Sequence, residues 1–277
     1  MKNYFFKTAT IIITTIIVAS CSSNGDKPAT TETSEAENHK IDTLIAIQDS
    51  PQQMPAYLFA GQYDELLNEI IPDGTAESSI NAFLLERGDK MVLFDAGLGE
   101  ERNGQLLAKL DSLGIKTEQI TDICITHFHG DHIGGLLTAN GEAVFKNAKL
   151  HFSDLELEAW TVGVFKDRDE TVNNMLTAYA DRYETFHAGD TIIDGIVTIA
   201  APGHTPGHTL FDIGDAIIVG DLLHAVDLQI EHPEFSALYD FNPLEARETR
   251  ISMLEKIRNT HKPMAGMHFT APFIIKL

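Results

Sequence analysis

His127-Phe128-His129-Gly130-Asp131-His132 puts three imidazoles and a carboxylate into one short stretch of chain. An apolar run at 123–126 precedes it and Ile133-Gly134-Gly135 follows, so a buried strand is predicted to open here into a turn. Alternate side chains of an extended segment share a face, so His127 and His129 project together while Asp131 and His132 point elsewhere around the turn. One loop thereby offers two adjacent sets of donors. Imidazole nitrogen and carboxylate oxygen are the ligands that borderline ions such as Zn²⁺ accept.

Outward from this loop, short apolar runs predict strands at 43–47, 80–85, 91–94, 123–126, 148–152, 196–200, 209–213 and 216–219. Gly88-Asp89 between two of them reads as a hairpin turn. Leu106, Leu107, Leu110 and Leu113 share one face of a helix predicted over 103–113 and stopped by Gly114. Further helices are expected over 170–183 and 244–258, the latter entered through Asn242-Pro243 as N-cap and first residue. Many strands with helices around them imply an α+β class, sheet on sheet with helices outside, although pattern does not fix strand order. Cys124, inside Ile123-Cys124-Ile125, reads as a small buried hydrophobe.

The chain has 277 residues, 43% hydrophobic and 22% charged, enough for a sizeable core. Its net charge is −21, with no Lys or Arg cluster interrupting the acidity. A phosphate backbone needs a basic footprint, so nucleic acid is excluded as a partner and a small uncharged or cationic substrate is favoured.

The central motif matches the HxHxDH pattern of the metallo-β-lactamase superfamily, and later segments resemble that family in its order. Ala201-Pro202-Gly203-His204-Thr205-Pro206-Gly207-His208 is similar to the loop that supplies another histidine, Val219-Gly220-Asp221 to the segment of the bridging carboxylate, and Gly266-Met267-His268 to the final histidine. The resemblance implies a four-layer αββα sandwich with two divalent ions, Zn²⁺ the expected pair, at one edge. It implies His127, His129 and His204 for one ion, Asp131, His132 and His268 for the other, and Asp221 between them. His208 is then a supporting residue, as is Asp95 after its strand. His39, His151, His187, His232 and His261 are expected to be surface or otherwise satisfied histidines.

Ser79-Ile80-Asn81-Ala82-Phe83-Leu84-Leu85, Asp111-Ser112-Leu113-Gly114-Ile115, Gly220-Asp221-Leu222-Leu223-His224 and Ala265-Gly266-Met267-His268-Phe269 are similar to the branch of methyl parathion hydrolase and N-acyl homoserine lactonases. In lactonases a tyrosine that orients the carbonyl follows the bridging aspartate; here that position is His224. The implied activity is hydrolysis of an ester-type bond, lactone ahead of organophosphate triester or aryl ester, with Asp131 as ligand and proton shuttle, Asp221 as bridge and His224 at the substrate. The rival is a lipid-anchored binding protein without catalysis, which the complete ligand set argues against.

The N-terminus reads as an export signal. Lys2 and Lys7 precede an apolar stretch at 8–20, and Val18-Ala19-Ser20-Cys21 resembles the lipobox of bacterial lipoproteins. Residues 1–20 are thus expected to be a signal peptide, 21–40 a lipidated Cys21 and disordered tether, and 41–277 the hydrolase domain. That places the protein in the bacterial cell envelope, attached to a membrane through Cys21.

Overall fold

A computed structural model describes residues 42–59, 64–166 and 168–277. Six strands form the first sheet in chain order: β1 (Thr43–Pro55), β2 (Thr75–Arg87), β3 (Lys90–Phe94), β4 (Asp122–Cys124), β5 (Lys149–Ser153) and β6 (Tyr183–Phe186). The β1–β2 and β2–β3 pairs are antiparallel, and β3 through β6 run parallel. The second sheet holds β7 (Thr191–Ile192), β8 (Ile196–Ala200), β9 (Thr209–Asp212), β10 (Ile217–Ile218), β11 (Met264–Ala265) and β12 (Ile274–Ile275), ordered β12-β11-β10-β9-β8-β7. Only β10 and β11 pair in parallel there. The helices are α1 (Asp64–Ile70), α2 (Leu106–Ser112), α3 (Gly130–Ile133), α4 (Asp154–Thr161), α5 (Glu170–Ala178), α6 (Val226–Glu231) and α7 (Pro243–Thr260).

Period-two alternation explains the layering. On β2, Ala82 and Leu84 pack outward with Leu106 and Leu110 of α2, Trp160 of α4 and Met175 of α5. Their neighbours Phe83 and Leu85 turn inward, where Phe94 and Cys124 of the first sheet meet Phe211, Ile218 and Ala265 of the second. On the far side, Leu210, Ile217 and Met264 pack against Leu254 and Ile257 of α7. Helix, sheet, sheet, helix is therefore the layer order, as the αββα expectation had it. Cys124 lies in the middle layer, fully buried, and burial pushes its thiol well above the usual range.

The predicted strands all occur, and Gly88-Asp89 joins β2 to β3 with Arg87 paired to Lys90. Two helix expectations need correction. The helix predicted from 103 starts at Leu106, because Asn103 adopts a left-handed φ of 62° that a helix cannot include. The one predicted to 183 ends at Ala178, and Tyr183 instead opens β6, held by the parallel ladder to β5. At α7 the expected cap is present: the Asn242 side chain accepts from Glu245 N–H at 3.3 Å, with Pro243 first in the helix.

Candidate metal centre

Strand ends build the site. The histidine loop leaves β4, the Pro-Gly-His loop joins β8 to β9, Asp221 lies in a turn after β10, and His268 follows β11. Three ring nitrogens converge: His129 Nδ1 lies 2.9 Å from both His127 Nε2 and His204 Nε2, and the latter two are 3.2 Å apart. Asp221 Oδ2 approaches His204 Nε2 at 3.2 Å and His127 Nε2 at 3.7 Å. The same carboxylate reaches the second group: Oδ1 is 3.1 Å from His132 Nε2, and Oδ2 is also 3.1 Å from His268 Nε2. Asp131 Oδ2 completes that group, 3.7 Å from His132 Nε2 and 3.9 Å from His268 Nε2. In each of two sets, His127–His129–His204–Asp221 and Asp131–His132–His268, the donor atoms lie within 4.8 Å of one another.

Supporting groups fix each donor's direction. Asp95, buried at the end of β3 with φ 56°, accepts from His132 Nδ1–H at 2.7 Å and from both the backbone and hydroxyl of Thr126. His268 Nδ1–H donates to Ser79 O at 2.8 Å, and His204 Nδ1–H to Asp240 Oδ1 at 2.9 Å. In all three histidines Nε2 is thereby left as the donor toward the centre. His208 is differently engaged: Nδ1–H donates to Ala201 O at 2.9 Å and Nε2 accepts from Asp221 N–H at 3.0 Å. Both its nitrogens are committed, and burial brings its imidazole down to about 3. It braces the turn that presents Asp221. Gly220 in that turn has φ 51°, and a Cβ there would sit 2.4 Å from His208 Nε2.

Two supporting carboxylates had no signal in the sequence. Glu156 of α4 is fully buried and takes N–H or O–H bonds from Phe128, Trp160, Thr205 and Gly207. It thus ties the histidine loop to the Pro-Gly-His loop. Asp240 lies in Tyr239-Asp240-Phe241, between aromatic residues that suggest only packing. Of the remaining histidines, His151 pairs with Asp122 at 2.9 Å, His187 with Asp154 at 2.7 Å and His232 with Glu234 at 3.5 Å. His261 caps α7, and His39 lies outside the described residues.

The donors suit a pair of divalent cations. Among the described residues His132 Nε2 and Asp221 Oδ1 are buried and, though 3.1 Å apart, make no hydrogen bond of good geometry, which is costly unless a cation meets them. Burial works against charge on His132, His204 and His268, yet Asp221, joined by Asp131 and Asp95 at His132, Asp240 at His204 and Asp131 at His268, raises all three, His204 to about 9. His127 and His129 go the other way, lowered by burial and by the neighbouring imidazoles, His129 to about 3, so they present neutral lone pairs.

A family model described as the Metallo-beta-lactamase superfamily matches residues 76–268. The chain belongs to that superfamily. Among solved superfamily structures, the hydrolase AbOPH shares 28% identity at a TM-score of 0.75, over 85% of this chain and 89% of its own. AidC, a dizinc quorum-quenching lactonase, is alike in fold: TM-score 0.73, 24% identity, 87% of this chain and 95% of its own. An N-acyl homoserine lactonase of Bacillus cereus is 25% identical over 161 residues, 50% of this chain and 60% of the lactonase. The uncharacterized protein YobT of Bacillus subtilis is 27% identical over 136 residues, 48% of this chain and 56% of its own. The chain thus spans less than two thirds of these curated relatives.

Above the centre opens a cavity of about 540 Å³, with His129, Asp131, Asp221, His224 and His268 at its floor. Met54, Ile80, Leu238 and Tyr239 make the apolar part of its walls, Gln52, Gln53 and Ser78 the polar part, and among the described residues Arg168 is the one Lys or Arg in its lining. His224 is 1% exposed, stacked on His268 with ring centroids 5.2 Å apart, and its Nε2 lies 3.2 Å from Asp221 Oδ2.

Proposed function

We propose that this chain is a binuclear metal-dependent hydrolase that cleaves an ester-type bond, a lactone first, in a small apolar or uncharged substrate. The observation that carries the reading is Asp221, one carboxylate facing both donor sets at the floor of a cavity whose walls mix Met54, Ile80, Leu238 and Tyr239 with the polar Gln52, Gln53 and Ser78. His127, His129 and His204 would hold one ion, Asp131, His132 and His268 the other, and Asp221 both. Divalent ions bound there supply Lewis-acid polarisation of a carbonyl or phosphoryl oxygen and a water pKa lowered to about 7.

The side chains do the rest. Asp131, 30% exposed toward the cavity, can pass a proton to the departing oxygen. His224 lines the cavity with Nε2 3.2 Å from Asp221 Oδ2, and its Nδ1 makes no hydrogen bond among the described residues, so the ring can donate to the substrate carbonyl where lactonases use a tyrosine. The apolar walls exclude water from the reacting bond and accept an acyl or alkyl group. Phosphotriesters and aryl esters are the second substrate class, since the same floor accommodates a tetrahedral phosphoryl group. Metal analysis of the purified full-length chain, beside hydrolysis of lactones, aryl esters, phosphotriesters, β-lactams and lactoylglutathione, tests the reading. Two metals with lactone turnover support it; tight metal binding with no turnover on any substrate would favour the non-catalytic binding protein.

Attachment to a membrane through Cys21 belongs to the same proposal. Residues 1–41 lie outside the described residues, and among the described ones no helix is long and apolar enough to cross a membrane. Wild type should partition with membranes and Cys21→Ser should not. Equal partitioning of the two would rule the anchor out.

A further inference from the structure

Arg250 takes part in nothing described so far, yet its guanidinium is among the most deeply buried groups of the molecule, 1% exposed on the inner face of α7. A buried charge needs partners, and the identity of these is informative. Nε–H donates to Leu222 O at 2.8 Å, directly beside Asp221. Nη1 donates to Phe235 O at 2.7 Å and Pro233 O at 3.1 Å, and Nη2 to Asp240 Oδ2 at 3.3 Å. The other oxygen of Asp240 is the one that accepts from His204 Nδ1–H. Phe235 and Asp240 in turn bracket the segment that carries Leu238 and Tyr239 into the cavity wall. One side chain therefore touches the backbone next to the shared carboxylate, the carboxylate behind a converging histidine, and the base of the cavity wall.

We infer that Arg250 and Asp240 act as a positioning pair that sets how His204 and Asp221 present their donor atoms to the metal centre and locks the cavity wall in register with it. Asp240 accepts the Nδ1 proton, so the lone pair of His204 Nε2 faces His127 and His129. A lone carboxylate could rotate about its own bonds; the guanidinium on its second oxygen, with Ala237 N–H at 3.2 Å, prevents that. Plain core filling does not call for this residue type, because an apolar side chain of similar volume packs a helix as well without burying a charge. The fork geometry of arginine, with donors on three nitrogens, is what lets a single group hold four acceptors at once.

The inference rests on the metal-centre reading, so its test uses zinc alone and needs no substrate. Zinc affinity of the full-length chain is measured by competition with a chromogenic chelator, for wild type, Arg250→Met, Arg250→Lys, Asp240→Asn, His204→Ala and the His204→Ala/Asp240→Asn pair. Asp240→Asn keeps size and shape but turns an N–H toward either His204 or Arg250, which both present donors. It and Arg250→Met should weaken zinc binding by ~10–100-fold, as loss of a ligand-orienting partner does, with Arg250→Lys in between. Because Asp240 acts through His204, Asp240→Asn should cost nothing further in the His204→Ala background. Arg258→Met serves as control: Arg258 is exposed on the same helix, and among the described residues its side chain bonds Ile230 O, away from the centre, so zinc affinity should not move. Wild-type affinity in Asp240→Asn, or an undiminished loss in the His204→Ala background, overturns the positioning role, and Asp240→Asn decides the matter alone if Arg250→Met does not fold. Failure of wild type itself to bind zinc overturns the metal reading and this one with it; affinity in wild type matched by the variants overturns this one only.

Discussion

Asp221 approaches nitrogens of both donor sets within 3.1–3.7 Å, so its charge matters more than its shape. Asn at this position preserves the shape, removes the charge and offers an amide nitrogen that cannot ligate. Asp221→Asn should fold, bind one metal poorly and lose kcat far more than stability, because the lost group acts on the reacting centre. Elemental analysis beside steady-state kinetics checks this, and two metals with near-wild-type turnover would remove Asp221 from the bridge. The adjacent histidines make a second residue-level contrast. His204→Ala should lose about one metal equivalent and most activity, whereas His208→Ala should keep both metals and lose ~10–100-fold, since it only braces Asp221. The reverse result would reassign the loop. The donors at 127–132 are legible in sequence because imidazoles and a carboxylate cluster there, and His204, Asp221 and His268 through the resemblance of their segments to the family. Glu156 and Asp240 are not, because each gains its role only from partners folded in from far along the chain, such as Thr205 at Glu156 and His204 at Asp240.

Elements matter here mainly through what they hold still. Helix α4 does not feature in the sequence pattern, yet it delivers Glu156 to four donors on two loops and on Trp160 of its own turn. Glu156→Gln retains the volume but leaves one amide oxygen to serve donors that now face an N–H₂. A buried unsatisfied donor costs ~1–3 kcal/mol, so this variant should lose stability of that order in urea denaturation. It should also bind zinc more weakly, because both histidine loops shift together. An unchanged denaturation midpoint would mean the loops hold themselves. The long strands and α7 were readable from apolar runs and caps, as was β10 from its run at 216–219, whereas β7, β11 and β12 are two residues each, too short for any pattern to register. Tyr183 shows the other limit: its helical-looking run ends in a strand because a parallel partner claims it, and no local residue announces that partner.

Over the whole molecule, acid sensitivity should have a contribution from a pair far from the centre. Burial raises the Asp122 carboxyl, but hydrogen bonds from His151, Thr121 and Lys90 overcome it and bring it from 3.8 down to about 2. A folded-state value below the unfolded one means the unfolded chain binds the extra proton first as pH falls. The stabilisation from Asp122 is therefore complete above about pH 4 and fades between there and about pH 2. Asp122→Asn should flatten that part of the stability profile in denaturant titrations at stepped pH; an unaltered slope would show that other carboxylates set it. Apolar runs with helices between them made sheet on sheet with helices outside legible and the family resemblance made it αββα, while strand order was not legible, since a run of apolar residues says nothing about its neighbours. One consequence of that plan concerns the seam between the sheets. His127, His129, Asp131 and His132 hang from the first sheet, and His204, Asp221 and His268 from the second. Ions shared by these groups would clasp the two halves of the molecule as a removable crosslink. Melting temperature should then track free zinc, with ~2.7 kcal/mol of added stability at a hundredfold excess over Kd. Under a strong chelator the halves would be free to part at their loop-bearing edge first, and proteolysis should begin there, making metal supply a determinant of how long the protein survives as well as of what it does.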